Sequence, residues 1–321
     1  MLSAWLVALA ACGSGPTTPP TPPPAPTLAC PASLSFDSPD HTPLPVSFIV
    51  PTAVGGQSPV SVSCTAQSGA TFPLGNTVVT CTATDALQRQ TSCNFNVAVI
   101  PSPRISKTKF LAFGDSITFG RCGAGGLSCP PYTDRLRALL VARYQQQTFT
   151  VITSGVPGET ASDDIINLNV PTNGQDRVGP ELGQYGSEVL LLMEGTNDLF
   201  FEREAGIPLA LAALERMIEI AHARGVTVLI ATIPPQREGG SRDVVAKLIP
   251  GFNAQLKTMA LARGATVVDV NAALAADLAR YISSDDLHPT AEGLQVIGET
   301  FFAAIRQTLD VTPGTGPASV R

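Results

Sequence analysis

The chain has 321 residues and a formal charge of −6, a length that allows about two domains at roughly 100–200 residues each. With 44% hydrophobic and 14% charged residues a sizeable buried core is possible and wholesale disorder is excluded. The acidic balance and the absence of a Lys/Arg cluster argue against nucleic acid as a partner, and no apolar run reaches the ~18–20 residues needed to span a bilayer.

Met1 to Ala11 (MLSAWLVALAA) is almost wholly apolar, too short for a membrane helix and suited to the core of a secretory signal. It ends in Leu9-Ala10-Ala11-Cys12, which resembles a bacterial lipobox, although no Lys or Arg precedes the apolar stretch. The resemblance implies acylation of Cys12, so that residues 1–12 are a signal and the exported chain is lipid-anchored to the bacterial cell envelope; with an ordinary secretory signal the chain is secreted instead. Residues 13–27 read as a Pro/Thr-rich linker. Seven prolines within residues 16–27 favour an extended polyproline II spacer, with a reach of roughly 35 Å at about 3.1 Å per residue.

Residues 28–101 read as a small all-β sandwich. LPVSFIV, PVSVSCT, NTVVTCTA and SCNFNVAV are short Val/Thr/Phe-rich runs separated by turn signals such as VGGQSP and PLGN. Apart from Cys12, six cysteines remain: Cys30, Cys64, Cys81, Cys93, Cys122 and Cys129. In an exported chain they allow up to three disulfides. Cys122 and Cys129 flank a Gly-rich turn and suit a local bridge. The first four can pair in three ways, among which Cys30–Cys93, joining first and last strands, with Cys64–Cys81 is favoured. No CxxC spacing occurs and only three His are present, so no metal site is expected. The stretch SGATFPLGNTVVTCTATDALQRQTSCNFNVAV resembles the hyalin repeat, an immunoglobulin-like module of extracellular proteins, with Leu87-Gln88 where that family usually has Gly-Asn. The resemblance implies a spacer or adhesive module that contacts a cell surface or polysaccharide. His41 falls in a loop of this region and reads as a surface residue.

Residues 106–310 alternate strand-like and helical patterns. KFLAFG, FTVITSG, EVLLLMEG, VTVLIATI and ATVVDV are continuous apolar runs, as expected of parallel strands covered on both faces. Between them, Leu211, Leu214, Ile218 and Ala221 recur at helical spacing within 206–224, and Gly225 ends that helix. A last helix occupies 290–309, after Pro289. The pattern predicts a three-layer α/β/α sandwich with a five-stranded parallel sheet. His222, inside EIAHARG, is expected to be a partly buried structural residue. Residues 311–321 (VTPGTGPASVR) read as a flexible tail.

In such sheets ligands bind beyond the carboxyl ends of the strands, which directs attention to the junctions. After the first strand stands Gly114-Asp115-Ser116-Ile117-Thr118; after the second, Gly155; after the third, Gly195-Thr196-Asn197-Asp198; after the fifth, Asp285-Asp286-Leu287-His288-Pro289. A serine hydroxyl needs a base to become a nucleophile. His288 is the one histidine at such a junction, and Asp285 three residues earlier can hold its other ring nitrogen. Candidate oxyanion donors are the Ser116 and Gly155 backbone N–H groups and the Asn197 amide. Asp115 reads as a residue that shapes the turn.

These blocks, GDSIT-x-G, GTND and D-x-x-HPT-x-x-G in this order, resemble the SGNH (GDSL-type) hydrolases over essentially all of 106–310. The resemblance implies a flavodoxin-like fold and metal-free, cofactor-free hydrolysis of carboxylic esters, with Ser116 as nucleophile, His288 as base, Asp285 as third triad member, and Ser116, Gly155 and Asn197 as the oxyanion hole. The second block departs from the family in carrying Thr153 where many members have Asn. The absence of G-x-S-x-G disfavours the ordinary α/β-hydrolase fold. Phe200 and Phe201 follow GTND and either line the substrate site or pack under its loop, and the Cys122–Cys129 loop is a candidate rim. With no large lid insertion, short acyl esters of a small molecule or glycan are the expected substrates. Two other readings use the same sequence: a surface adhesion or glycan-binding protein with an inactive SGNH domain, and acyl transfer to an alcohol instead of water.

Overall fold

The computed structural model describes residues 21–311 except 166. The signal-like segment with Cys12, the start of the linker and the tail from 312 onward lie outside the described residues. Two compact units divide between Pro101 and Ser102.

The first unit is built on a four-stranded sheet of β1 (Leu34–Ser38), β2 (Ser61–Cys64), β3 (Gly75–Thr84) and β4 (Gln90–Pro101), in the order β1-β4-β3-β2. β3 and β4 form a long antiparallel hairpin, and β1 runs parallel to β4. Alternation sets the core: Val79, Cys81 and Ala83 of β3 and Phe95, Val97 and Val99 of β4 are buried. The hairpin turn hangs on Asp85, whose carboxylate accepts from the Leu87 and Arg89 N–H groups and from the Arg89 side chain. Gln88 takes a positive φ of 60° there, a conformation that suits Gly or Asn better. The disulfides are Cys30–Cys93 and Cys64–Cys81, the favoured pairing of the three.

Two expectations for this unit change. LPVSFIV is mostly not a strand: only Leu44–Pro45 pairs, with Thr71–Phe72. Val46 and Phe48 still point into the core, but their N–H groups go to the Ala70 carbonyl and the Ser68 hydroxyl instead of a ladder. The end of the proline-rich segment is also engaged. The Pro23 and Pro24 carbonyls accept from Arg89 Nη1 (3.0 Å) and Gly56 N (2.9 Å), and Thr27–Leu28 pairs with Ala53–Val54. His41 is half-buried in a turn at φ 55°.

The second unit carries β5 (Lys109–Gly114), β6 (Thr150–Gly155), β7 (Val189–Met193), β8 (Thr227–Ala231) and β9 (Thr266–Val268), all parallel, in the order β6-β5-β7-β8-β9. Its helices are α1 (Ser116–Phe119), α2 (Tyr132–Arg143), α3 (Gly174–Tyr185), α4 (Thr196–Glu202), α5 (Gly206–His222), α6 (Asp243–Ala262), α7 (Val270–Ala275), α8 (Leu278–Tyr281) and α9 (Ala291–Leu309). Successive strand residues serve opposite cores. Phe110, Ala112, Val189 and Leu191 pack with α2, α7 and α9, whereas Leu111, Phe113, Leu190 and Leu192 pack with α3, α5 and α6. This is the three-layer sandwich with a parallel five-stranded sheet that the apolar runs predict. The chain winds outward from β5 first to β6 and then, on its other side, to β7, which opens a crevice at the carboxyl ends of these strands.

α5 ends where Gly225, at φ 72°, follows in the turn. His222 is its last residue and is exposed, not partly buried, because the apolar stripe of α5 is carried by Ala210, Leu214, Met217, Ile218 and Ala221. α9 is capped by the Thr290 hydroxyl, which accepts from Gly293 N. The third disulfide, Cys122–Cys129, closes the loop after α1.

Candidate active site

β5 ends at Gly114, where a side chain would meet the Met193 carbonyl at 2.3 Å and the Thr118 hydroxyl, so only Gly fits. The Asp115 carboxylate then accepts from Ile117 N at 2.9 Å and starts the short α1 at Ser116. Asp115 thus shapes the turn, as its position suggests. Beyond α1, Arg121 N donates to the Ser116 carbonyl, and Cys129 N to the Gly120 carbonyl, so the disulfide loop is laced to the same turn.

The last junction arrives on a tightly held loop. Ser283 N donates to the His288 carbonyl and Thr290 N to the Tyr281 carbonyl. Within it, Asp285 Oδ1 accepts from Ser283 Oγ and from the Leu287 and His288 N–H groups. Its other oxygen lies 2.7 Å from His288 Nδ1, and His288 Nε2 lies 3.0 Å from Ser116 Oγ. Burial pushes the Asp285 carboxyl up, but the His288, Ser283 and backbone donors outweigh it and hold it down at about 2. An ionised Asp285 keeps the ring proton on Nδ1 and leaves Nε2 free to accept. The structure therefore brings Ser116, His288 and Asp285 into one hydrogen-bonded line across 172 residues of sequence.

Gly155 ends β6 directly beside β5, paired with Gly114. Asn197 opens α4, and its Nδ2 donates to the Glu159 carbonyl at 2.7 Å, leaving the second amide hydrogen for another acceptor. Phe200 is half-buried and packed against the α5–α6 side of the core, while Phe201 is 40% exposed. The two rings meet edge to face at 5.4 Å.

One group of residues went unread in the sequence. Asp115, Glu159, Glu194 and Asp198 are all buried in this unit. Arg177 of α3 pairs with Glu159, covers the Phe113 ring at 3.9 Å, and donates to Ser154 Oγ, tying α3 to β6 and to the segment after it. Asp198 accepts from Ala161 N and Ser162 N. Both Glu194 oxygens are buried with no hydrogen-bond partner among the described residues. Burial first, then the neighbouring Asp115, Glu159 and Asp198 charges, raise Glu194 well above the ordinary carboxyl range against the pull of Arg177, so it is held neutral. Burial likewise raises Asp115 to about 7 and Asp198 to about 6. Unfolded carboxyls release their protons near ~4, so above that pH the folded state binds more protons than the unfolded one. Stability is therefore fullest below about pH 4 for these groups and is lost as pH rises through about 6 to 7. The melting midpoint is expected to fall from pH 5 to pH 8, and Glu194→Gln to flatten the fall. An unchanged slope in that variant would show that Glu194 does not carry the bound proton.

Residues 112–296 match the model of the GDSL-like lipase/acylhydrolase family and residues 21–99 that of the HYR domain. The chain belongs to the GDSL-like lipase/acylhydrolase family and is by class a carboxylic ester hydrolase. No curated protein matches it. Among solved structures, a lipase/acylhydrolase from Enterococcus faecalis superposes with a TM-score of 0.53 at 22% identity, covering 65% of this chain and 100% of that one. A carbohydrate acetylesterase family member from Sinorhizobium meliloti gives 0.52 at 18% identity, over 62% and 98% of the two chains. An acetylxylan esterase from Geobacillus stearothermophilus gives 0.50 at 20% identity, over 63% and 94%. At these identities the likeness is one of fold. The disulfides and the HYR domain mark an extracellular protein. No helix among the described residues is long and apolar enough to cross a membrane.

Proposed function

We propose that this chain is an exported serine esterase that cleaves short acyl esters, acetyl-type esters of a small molecule or glycan above all. The observation that carries the reading is the line from Ser116 Oγ through His288 to Asp285, at 3.0 and 2.7 Å. Ser116 attacks the ester carbonyl as His288 Nε2 takes its proton; Asp285 steadies the imidazolium. The tetrahedral oxyanion is received by the Ser116 and Gly155 N–H groups and the free hydrogen of the Asn197 amide. His288 then protonates the leaving alcohol, and a water, activated by the same histidine, releases the acid. The names carried by the acetylesterase neighbours support the short acyl group, as does the absence of a large lid insertion in the sequence. In this reading residues 1–12 are the signal, Cys12 is the lipid site, residues 28–101 space or attach the enzyme, and 106–310 do the chemistry.

The test is hydrolysis of p-nitrophenyl acetate, butyrate and octanoate by the full chain beside Ser116→Ala. Activity that declines with acyl length and vanishes in the variant is the expected result. No serine-dependent turnover of any ester, acetylated glycans included, would sink the reading and leave a surface-binding protein with an inactive hydrolase domain. Asn197→Ala is expected to lower kcat by roughly 10²–10³ with KM nearly unchanged, since one oxyanion donor is lost. A loss confined to KM would remove Asn197 from the oxyanion hole.

A further inference from the structure

Two guanidinium groups stand beside this site, and among the described residues neither forms an ion pair. Arg203 follows α4 and Arg242 immediately precedes α6, and their guanidinium carbons lie 5.1 and 4.2 Å from the centre of the same ring, Phe200. Phe200 is three residues beyond Asn197 on α4, so the ring and the amide share one helix face. The segment bearing Arg242 is in turn fastened to the loop of Asp285 and His288. Ser241 N donates to Asp286 Oδ2 at 3.3 Å and Arg237 N to the Asp286 carbonyl at 3.2 Å. Arg242 thus links the α4 face that carries Asn197 to the loop that carries His288, and Arg203 meets the same ring.

Other arginines near by are spoken for. Arg177 pairs with Glu159 and Glu181, and Arg237 donates to the Ser283 carbonyl and faces Asp286. Arg242 is half-buried, and its Nη1 is enclosed with no hydrogen-bond partner among the described residues. Burial lowers its proton affinity, and the Arg203 charge adds to this against the opposing Asp285 carboxylate. Two like charges drawn to one ring, one of them partly desolvated, are costly unless an anion joins them. The planar guanidinium fork is matched in geometry to a carboxylate, and the Phe200 ring holds each fork by cation–π contact.

Resting on the esterase reading above, we propose that Arg203 and Arg242, held on Phe200 beside Asn197, bind a carboxylate of the substrate, so that the enzyme prefers acyl esters that bear one. The carboxylate belongs either to the alcohol part, as in an acylated acidic sugar, or to the acyl part, as in a half-ester of a dicarboxylic acid. Two matched pairs separate these sources. 4-Acetoxybenzoate against its methyl ester places the charge on the leaving alcohol. Mono-4-nitrophenyl succinate against methyl 4-nitrophenyl succinate places it on the acyl group. Each kcat/KM is divided by the rate of the same ester with hydroxide, which removes intrinsic reactivity.

In one pair the charged member is expected to be favoured about tenfold or more at low salt, and the preference should shrink as ionic strength rises. Arg203→Glu, at an exposed position, should reverse it, and Arg242→Gln should bring it close to one. Because the ratio is internal to each protein, partial loss of folded enzyme in Arg242→Gln does not disturb it. A ratio at or below one for both pairs in the native protein, with neutral esters still cleaved, overturns the proposal and leaves the esterase standing. A native preference that survives both substitutions overturns the assignment to these arginines. Absence of serine-dependent turnover on every ester overturns the esterase reading itself.

Discussion

Ser116→Ala is expected to reduce ester hydrolysis by a factor on the order of 10⁴–10⁶ while moving the melting midpoint by no more than about one degree. The size follows from what the hydroxyl does: it is the group hydrogen-bonded to His288 Nε2, and without an acyl-enzyme only water activated in place can react. The small effect on stability follows from its contacts. The side-chain oxygen makes one hydrogen bond, to a part-buried His288 that remains fixed by Asp285, and α1 is started by the Asp115 carboxylate, not by Ser116. His288→Ala should cost a similar factor, and the double variant little more than either alone, because the two act as a unit. Single-turnover kinetics and thermal melts of the three proteins check this. Additive losses would mean that Ser116 and His288 work independently and that the line they form is not the catalytic one.

Gly155→Ala should be the most damaging of the conservative changes. A methyl group at that position would stand 2.1 Å from Phe119 N, 2.6 Å from Phe119 Cα and 2.7 Å from the Asp115 carbonyl oxygen. All three are backbone atoms of the turn that presents the nucleophile, so no side chain can rotate away to make room. Either β6 separates from β5 or α1 tilts. Overpacking of this kind costs about 3 kcal/mol, which for a domain of this size lowers the melting midpoint by roughly 6–12 °C. Activity should fall by at least about 10², because displacement of α1 by an ångström moves Ser116 out of line with His288. Circular dichroism melts with kcat measured well below the midpoint separate the two losses. Full activity in the variant would show that the backbone of Gly155 does not approach the substrate.

What could be read beforehand divides by the range of the interactions involved. The five strands were legible because a parallel strand covered on both faces is largely apolar, fully so in Val189–Met193 and for most positions of its neighbours. The site junctions were legible because chemistry there depends on residue types fixed within a few positions of a strand end, as in Asp285 to His288. The irregular path of Val46 to Val50 was not, since its alternation is that of a strand while its hydrogen-bond partners, the Ala70 carbonyl and the Ser68 hydroxyl, lie some twenty residues away. The buried carboxylates escaped for the same reason. Nothing local to Glu194 announces that Asp115, Glu159 and Asp198 will surround it, nor that Arg177 will neutralise only one of the four. The two arginines on Phe200 likewise come from segments almost forty residues apart, and only the tertiary fold places them on one ring.

The order in which these parts leave the ribosome has its own consequence. A nascent chain of some 250 residues already holds Ser116, Gly155 and Asn197 and four of the five sheet strands. It does not yet hold His288 or the loop that fixes it, which are made later. The growing polypeptide therefore carries a serine without a base. On the mechanism proposed here, it stays inert toward the esters of the cell that makes it until the loop of Asp285 and His288 has been made.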